Sequence, residues 1–563
     1  MKRKSPTLSI LVFTVLAILL STATISGAQV LTSTCLSPSV PLVVEEQRLT
    51  YTLPSNSNPA VLQSESFAQQ MIEGAGWKYL GPLVVAELCK ARNVKEAESI
   101  VKLNGMLLWQ MAIYRAQNRF VLGSLPYSDD RPLYWTRLQV RAAIRQWIPK
   151  FTLPLDEDQA SLVTTFDRAS RGMFSINFPT GKHVKRLIMS GFDPYTLDGG
   201  TLSGSNIGTS TSPVYLPGPC KTFLPPNCIG DNIRHGNPSG AIALSLAGTQ
   251  YKAKDGTVVY IAAYTLPVNY AEFEAGYQED TIGPFMQPGP QQVNASVSVS
   301  QAGPFTFNVE QWNGRYHGVS IGNDNEAPCP SVLNPTPPPT RIPQLAINNE
   351  GCNIIVVPQW GGPSIFDLFD PPQWTTTSLP VAALIAANTG VGITPPPAGI
   401  GATSGDGWTG DSNAFGVIWH TPFTEFASCA SVTETSVNSL SCENTTCPTP
   451  LVSGQLPPAG TPPTGWPQTP PDVNSCAYSG GGGNYLSNES AFRNTLLRDR
   501  SGLGCPGKNC IPAGHIHTPS MQVFDFGDYF NVSDATFNTW RLAIVKQAQN
   551  LIHVVADNAP KSK

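Results

Sequence analysis

Arg186-Leu-Ile-Met-Ser190, running straight into Gly191-Phe-Asp-Pro194, is a short apolar run stopped by a glycine and a proline, the pattern of a buried strand breaking into a turn. Val258-Val-Tyr-Ile-Ala-Ala263 and Val297-Ser-Val299 are further strand candidates. Between and after them come helical patterns. Thr377-Ser-Leu-Pro-Val-Ala-Ala-Leu-Ile-Ala-Ala387 enters a helix after its proline. Ser533 to Ala556 opens on a Ser-Asp pair suited to capping and places Phe537, Trp540, Ile544, Val545, Ala548 and Ile552 at helical spacing. Strands interleaved with helices predict an α/β layered fold.

Upstream of this region the pattern is helical. Met71, Leu80, Val84, Leu88, Ile100, Leu103, Leu107 and Ile113 recur at three- and four-residue intervals within 64–122, and Trp135 to Trp147 forms a second helical stretch. The expected division is a mostly helical N-terminal module over 29–184 and an α/β domain over 185–563, with Pro/Gly-rich insertions near 330–370 and 391–478. Residues 1–28 combine a basic start, Met-Lys-Arg-Lys4, an apolar run from Leu8 to Leu20 and small residues up to Ala28. That order reads as a secretory signal peptide and predicts a secreted or periplasmic protein without a membrane span once the signal is removed.

The formal charge is −4 and 13% of residues are charged, so the chain lacks the basic field that nucleic-acid binding needs. Glycine and proline together make up about 18%, above the globular average but below a wholly disordered composition, which favours long loops on a folded core. All twelve cysteines follow residue 28, which in an exported chain favours disulfides, with Cys220–Cys228 and Cys505–Cys510 as the expected local pairs. No Cys-x-x-Cys pair is present and the histidines are scattered apart from His515-x-His517, so neither a metal nor another cofactor is expected.

The stretch Ser479-Gly-Gly-Gly-Gly-Asn-Tyr-Leu-Ser-Asn488 sets one hydroxyl, Ser487, between a glycine-rich turn and a helical segment, where free backbone N–H groups stabilise negative charge. His517 lies in Ala513-Gly-His-Ile-His-Thr-Pro519, a strand end, and Glu310 in Thr306-Phe-Asn-Val-Glu-Gln-Trp312. Nucleophile, base and orienting acid are the parts that acyl transfer needs. Taken singly, Ser487 reads as a helix N-cap, His517 as a loop histidine and Glu310 as a surface carboxylate.

Eight segments, in order, resemble the pyroglutamyl peptidase I family of cysteine peptidases. Leu187-Ile-Met-Ser-Gly-Phe-Asp-Pro-Tyr195 is similar to its first strand and Gly-Phe-x-Pro-Phe turn, Gly236-Asn-Pro-Ser-Gly240 to its Asn-Pro-Ser segment, and Leu266-Pro-Val-Asn-Tyr270 to its Leu-Pro-Val strand end. Ser300-Gln-Ala-Gly303 followed by Glu310 resembles Gly-Gln-Ala-Gly…Glu-Arg, while Ile342-Pro-Gln344 and Thr377-Ser-Leu-Pro-Val381 are similar to Ile-Pro-Asp and Ser-Thr-Leu-Pro-Val. Ser479…Gly483-Asn-Tyr-Leu-Ser-Asn488 resembles Ser-x-x-Ala-Gly-x-Tyr-x-Cys-Asn, and Gly514-His-Ile-His-Thr-Pro519 resembles Gly-Phe-Ile-His-Val-Pro.

The resemblance implies an open, mostly parallel sheet with helices on both faces and a peptide or small amide substrate. It places the orienting acid on Glu310, the nucleophile on Ser487, the base on His517 and the apolar lactam pocket on Phe192 and Tyr195. Three departures stand out. The stretch from Gly303 to Glu310 is one residue short, Gln311 replaces a basic residue, and Ser487 stands where the family has cysteine. A thiol is partly ionised near neutrality, whereas a serine must give its proton to a base during attack. Two rival expectations follow: a non-catalytic binding protein on the same scaffold, and a serine hydrolase of another amide or ester.

Overall fold

The computed structural model describes residues 30–58, 61–154, 158–181, 183–195, 231–301, 306–315, 322–324, 372–391, 393, 415–426, 451–453, 470–483, 485–519, 528 and 530–561. The signal-peptide reading of 1–28, the Cys220–Cys228 pairing and most of both insertions fall outside them.

A mixed sheet of seven strands organises the chain: β1 (Val184–Phe192), β2 (Thr249–Lys252), β3 (Val258–Leu266), β4 (Ala295–Gln301), β5 (Phe307–Glu310), β6 (Val417–His420) and β7 (Ala513–Thr518). Their spatial order is β6-β5-β7-β4-β1-β3-β2. The four consecutive strands β7, β4, β1 and β3 run parallel, while β5 is antiparallel to β7 and β2 to β3. The fold is therefore α/β. From Lys185 to Phe192 every residue of β1 is buried, as expected of a central strand covered on both faces.

Side-chain alternation divides the core in two. Leu187 and Met189 of β1, with Val297 and Val299 of β4, join a cluster that includes Ala241 and Ile242 of α6 (Pro238–Leu246) and Ile544 and Leu551 of α9 (Ala535–Asn558). Ile188 and Phe192 turn the other way, toward Ile282 and Met286 of α7 (Tyr277–Met286) and Phe492, Leu496 and Leu497 of α8 (Leu486–Arg500). One-residue alternation in β1 thus feeds two separate packing layers. Asp534 caps α9, accepting from the Phe537 N–H at 2.7 Å.

The helical region upstream consists of α1 (Phe67–Gly74), α2 (Leu80–Leu88), α3 (Val94–Ala116), α4 (Arg131–Gln146) and α5 (Gln159–Ser170). The periodic stretch 64–122 is thus three helices, two of them starting at side-chain caps: Ser66 accepts from Gln69 N and Asn93 from Glu96 N. Helix α4 begins before Trp135, because Pro132 fits a first helical turn. Gly105 lets α3 approach α5 closely; an added Cβ would lie 2.6 Å from that of Ala169. The apolar core is continuous across residue 184, since Leu108, Trp135 and Phe166 belong to the same cluster as Leu187 and Val297.

Disulfides join Cys35 to Cys89 and Cys505 to Cys510. The second is the pair expected from sequence spacing, and the first spans 54 residues. No helix among the described residues is long and apolar enough to cross a membrane.

Buried charge ties the helical region to the turn after β1. Arg137 Nη1 lies 2.8 Å from both oxygens of Asp193, and Arg171 Nε donates to Oδ2 at 3.0 Å. Asp193 is 3% exposed. Removing that carboxylate leaves two guanidinium groups without it, so Asp193→Ala is expected to cost about 3–5 kcal/mol. Urea unfolding of the variant against wild type checks this, and a cost below 1 kcal/mol would contradict the clamp.

Candidate active site

Three neighbouring strand ends place histidines around one carboxylate. In register, Glu310 of β5 stands opposite His420 of β6 on one side and His515 of β7 on the other. The Glu310 carboxylate reaches diagonally to His517, whose Nδ1 is 2.6 Å from Oε1, and sideways to His420, whose Nδ1 is 2.5 Å from Oε2. Each oxygen holds one imidazole.

Glu310 is completely buried, which corrects its reading as a surface carboxylate. A buried acid ordinarily rises in pKa, but the charges and hydrogen bonds of His420 and His517 outweigh burial and bring it down to about 2. His420 moves the other way: burial lowers it, and the Glu310 carboxylate more than compensates and raises it above the ordinary imidazole value.

His517 is a strand residue, 4% exposed, not a loop histidine. Beside it His515 sits edge-on with ring centroids 4.6 Å apart, its two nitrogens 2.7 and 2.8 Å from the hydroxyls of Ser298 and Ser300 on β4. Burial and the adjacent His517 hold His515 well below the ordinary value, so it is a neutral member of this row. Among the described residues, no group of three or more His, Cys, Asp or Glu is arranged to hold a metal ion.

Helix α8 supplies Ser487. The helix starts at Leu486, with Tyr485 as its cap and no side-chain hydrogen bond there, so Ser487 is the second helical residue and not the N-cap. The Glu489 N–H closes the first turn onto the Tyr485 carbonyl, so the N–H groups of Leu486 and Ser487 precede the helix's own hydrogen-bond ladder. Asn494 of α8 donates to the Gly514 carbonyl at 3.2 Å, and Arg498 to that of Ala513 at 3.3 Å, so helix and strand run antiparallel. Ser487 lies seven residues before Asn494, about 10.5 Å along the helix, and His517 three residues after Gly514, about 10 Å along the strand. The start of α8 is therefore directed toward the carboxyl end of β7.

The glycine run packs closely against both Glu310 and the start of α8. A Cβ on Gly481 would fall 2.1 Å from Glu310 Oε2, and one on Gly482 would fall 3.0 Å from the backbone nitrogen of Asn488. Asn488 locks the arrangement from below, accepting from Gly314 N at 2.9 Å and donating to its carbonyl at 2.6 Å. The structure thus joins Glu310 to His517 directly. Ser487 is half-buried, and its carbonyl accepts from Ser490 Oγ at 2.9 Å; no bond from its own hydroxyl to His517 is formed among the described residues.

Phe192 is 3% exposed and stacks on Phe273 with centroids 6.2 Å apart. Tyr195 is half-buried, its hydroxyl accepting from Gln301 Nε2 at 2.6 Å across the ends of β1 and β4. Gln311, standing where a basic residue was expected, takes the Trp419 indole N–H at 2.8 Å and is part of the packing. The residue that sequence reasoning missed is His420. Its signal was the alternation Val417-Ile-Trp-His420, an apolar strand ending on an imidazole, but no motif linked it to Glu310 more than a hundred residues earlier.

Family comparison covers both halves of the chain. The model described as PA0049, C-terminal domain, matches residues 186–522, and that described as PA0049 N-terminal domain matches residues 26–167. The uncharacterized protein PA0049 of Pseudomonas aeruginosa strain PAO1 is 37% identical over 550 residues, covering 91% of this chain and 88% of that protein. No solved structure matches. With both family models in sequence order and the relative aligned over nearly its whole length, the chain belongs to the PA0049 family.

Proposed function

We propose that the protein is an exported amide hydrolase of the pyroglutamyl peptidase I type, in which Glu310, Ser487 and His517 act as orienting acid, nucleophile and base. The observation that carries this reading is the 2.6 Å contact between the buried Glu310 carboxylate and His517 Nδ1, which leaves Nε2 as the nitrogen available to a nucleophile. In the proposed cycle Nε2 takes the Ser487 proton as Oγ attacks the carbonyl carbon, and the N–H groups at the start of α8 receive the oxyanion. His517 then returns the proton to the leaving amine, and water hydrolyses the acyl-enzyme by the same route. Tyr195, with Phe192 packed behind it, forms the apolar side that would hold a lactam ring. Export is supported by the signal-like segment 1–28 and the two disulfides.

A direct test is hydrolysis of a pyroglutamyl-coumarin amide by the purified mature protein against Ser487→Ala. The wild type is expected to release coumarin and the variant to lose at least about a hundredfold in kcat; equal rates would sink the mechanism. The binding-protein alternative draws on the Ser487 hydroxyl's lack of a bond to His517, and Ser487→Cys separates the two. Activity gained only with the thiol identifies a binder on a competent scaffold.

The Gly481 contact gives a second expectation. Gly481→Ala must push the loop off the carboxylate, with an overpacking cost of about 1–3 kcal/mol and a loss of kcat, measurable by thermal unfolding and by rate.

Linkage gives a third. Glu310 has a folded pKa near 2 against an ordinary 4.5, so its contribution is present above pH 4.5 and is lost as pH falls toward 2. The upper bound is about 3 kcal/mol. The stability gap between wild type and Glu310→Gln should be widest near pH 6 and should shrink progressively below pH 4.5, with most of it gone by about pH 2.5, in urea titrations. A gap that stays constant over that range would contradict the ionised carboxylate.

A further inference from the structure

A serine–histidine–carboxylate triad has no task for His420, yet His420 takes half of the carboxylate. Glu310 has no exposure to solvent, and its two oxygens are divided between Nδ1 of His517 at 2.6 Å and Nδ1 of His420 at 2.5 Å. A third side is closed by Gly481, where even a methyl group would collide with Oε2. On the strand pair itself, His420 stands directly opposite Glu310, and the neighbouring residues Trp419 and Gln311 are bonded to each other at 2.8 Å. The carboxylate therefore has one rotamer in which all its bonds are made. His420 is the wetter of its partners, with a side chain 20% exposed against 5% for His517.

We propose that His420 is a positioning residue for His517: by holding Oε2 it fixes Glu310 with Oε1 facing the base, and it draws on the same negative charge. The kinetic side of this assignment rests on the hydrolase reading; the coupling between the imidazoles does not. Among the described groups facing His420, Glu310 of β5 is the adjacent charge, and His515 and His517 of β7 lie beyond it. The short helix Val381–Ala386 packed against β6 carries no ionisable side chain. The Glu310 carboxylate outweighs burial and favours a proton on His420, and the positive charge so held opposes a second one on the imidazole across the same carboxylate.

The test follows ring-labelled histidines by NMR through a pH titration of the full mature protein, in wild type, His420→Asn and His420→Leu. Asparagine keeps an N–H donor at the place of Nδ1 but carries no charge; leucine removes both. In His420→Asn the proton affinity of His517 is expected to rise about three- to tenfold, because the competing charge is gone. In the rate assay, His420→Leu is expected to lower kcat about tenfold or more with KM within about twofold, and His420→Asn to recover most of kcat while moving the acid limb of its pH profile upward. An unchanged His517 titration in the folded His420→Asn variant would overturn the proposal, whatever the rates. If the wild type hydrolyses nothing, the hydrolase reading falls while the titration still decides whether His420 and His517 share one carboxylate.

Discussion

The turn that follows β1 depends on a carboxylate with almost no access to water. Asp193 is gripped by Arg137 from α4 and by Arg171 just after α5, and its carbonyl accepts from Asn237 Nδ2 at 3.0 Å. Such a group tolerates burial only when its charge is matched and its lone pairs are filled, and here the matching cations come from a separate part of the chain. The consequence is positional. Helices far upstream fix Phe192, Asp193 and Tyr195 at the end of the central strand, and the Asn237-Pro238 start of α6 is held against the same turn. Beyond β1 the chain goes first to β2 and β3 on one side and then to β4 on the other, so the crevice at the β1/β4 junction is a topological switch point, where open α/β sheets hold their ligands.

From that crevice a polar row runs across the sheet through Ser298 and Ser300, His515 and His517, Glu310 and His420. β4 explains how a buried row can exist. Its Ala-Ser-Val-Ser-Val-Ser order sends valines into one apolar layer and serines toward the other face, where Ser296 meets Asn494 and the other two hydroxyls hold His515. Each polar group has a partner that replaces the water it lost, which is the condition for such a row to form.

Much of this was legible in the sequence because it is periodic or local. The unbroken apolar run of β1, the serine–valine alternation of β4, the Asp534 cap and the close Cys505–Cys510 pair all depend on residues within a few positions of one another. The motif set placed Glu310 and His517 at one centre, and they meet there. What resisted reading is long-range. Glu310 looked like a surface acid because nothing in Phe-Asn-Val-Glu reveals that β6 and β7 flank it, and His420 had no local companion. The helix start was read two residues late because Ser and Asn are frequent caps, yet the glycine run lets Tyr485 occupy that place and turns the Asn488 side chain to the task of pairing with Gly314. Gln311 looked like a lost charge, while in the fold its amide receives the Trp419 indole.

On the proposed hydrolase reading, a serine at residue 487 where the resembling family has cysteine changes what the centre would have to supply. A thiolate can form before attack, but a serine proton must move during it, so the base must carry more of the barrier. A buried, ionised carboxylate at Nδ1 is the group that strengthens an imidazole for that work, and its effect is greatest where water is excluded. Here the same carboxylate has a second imidazole at its other oxygen, so its charge is divided whenever that second ring is protonated. Near neutrality the division is small if His420 is uncharged and larger as pH falls, which makes the strength of His517 as a base a property of the three side chains together. The occupant of position 487 cannot be judged apart from them: whether a serine suffices there turns on how much of the Glu310 charge is left for His517.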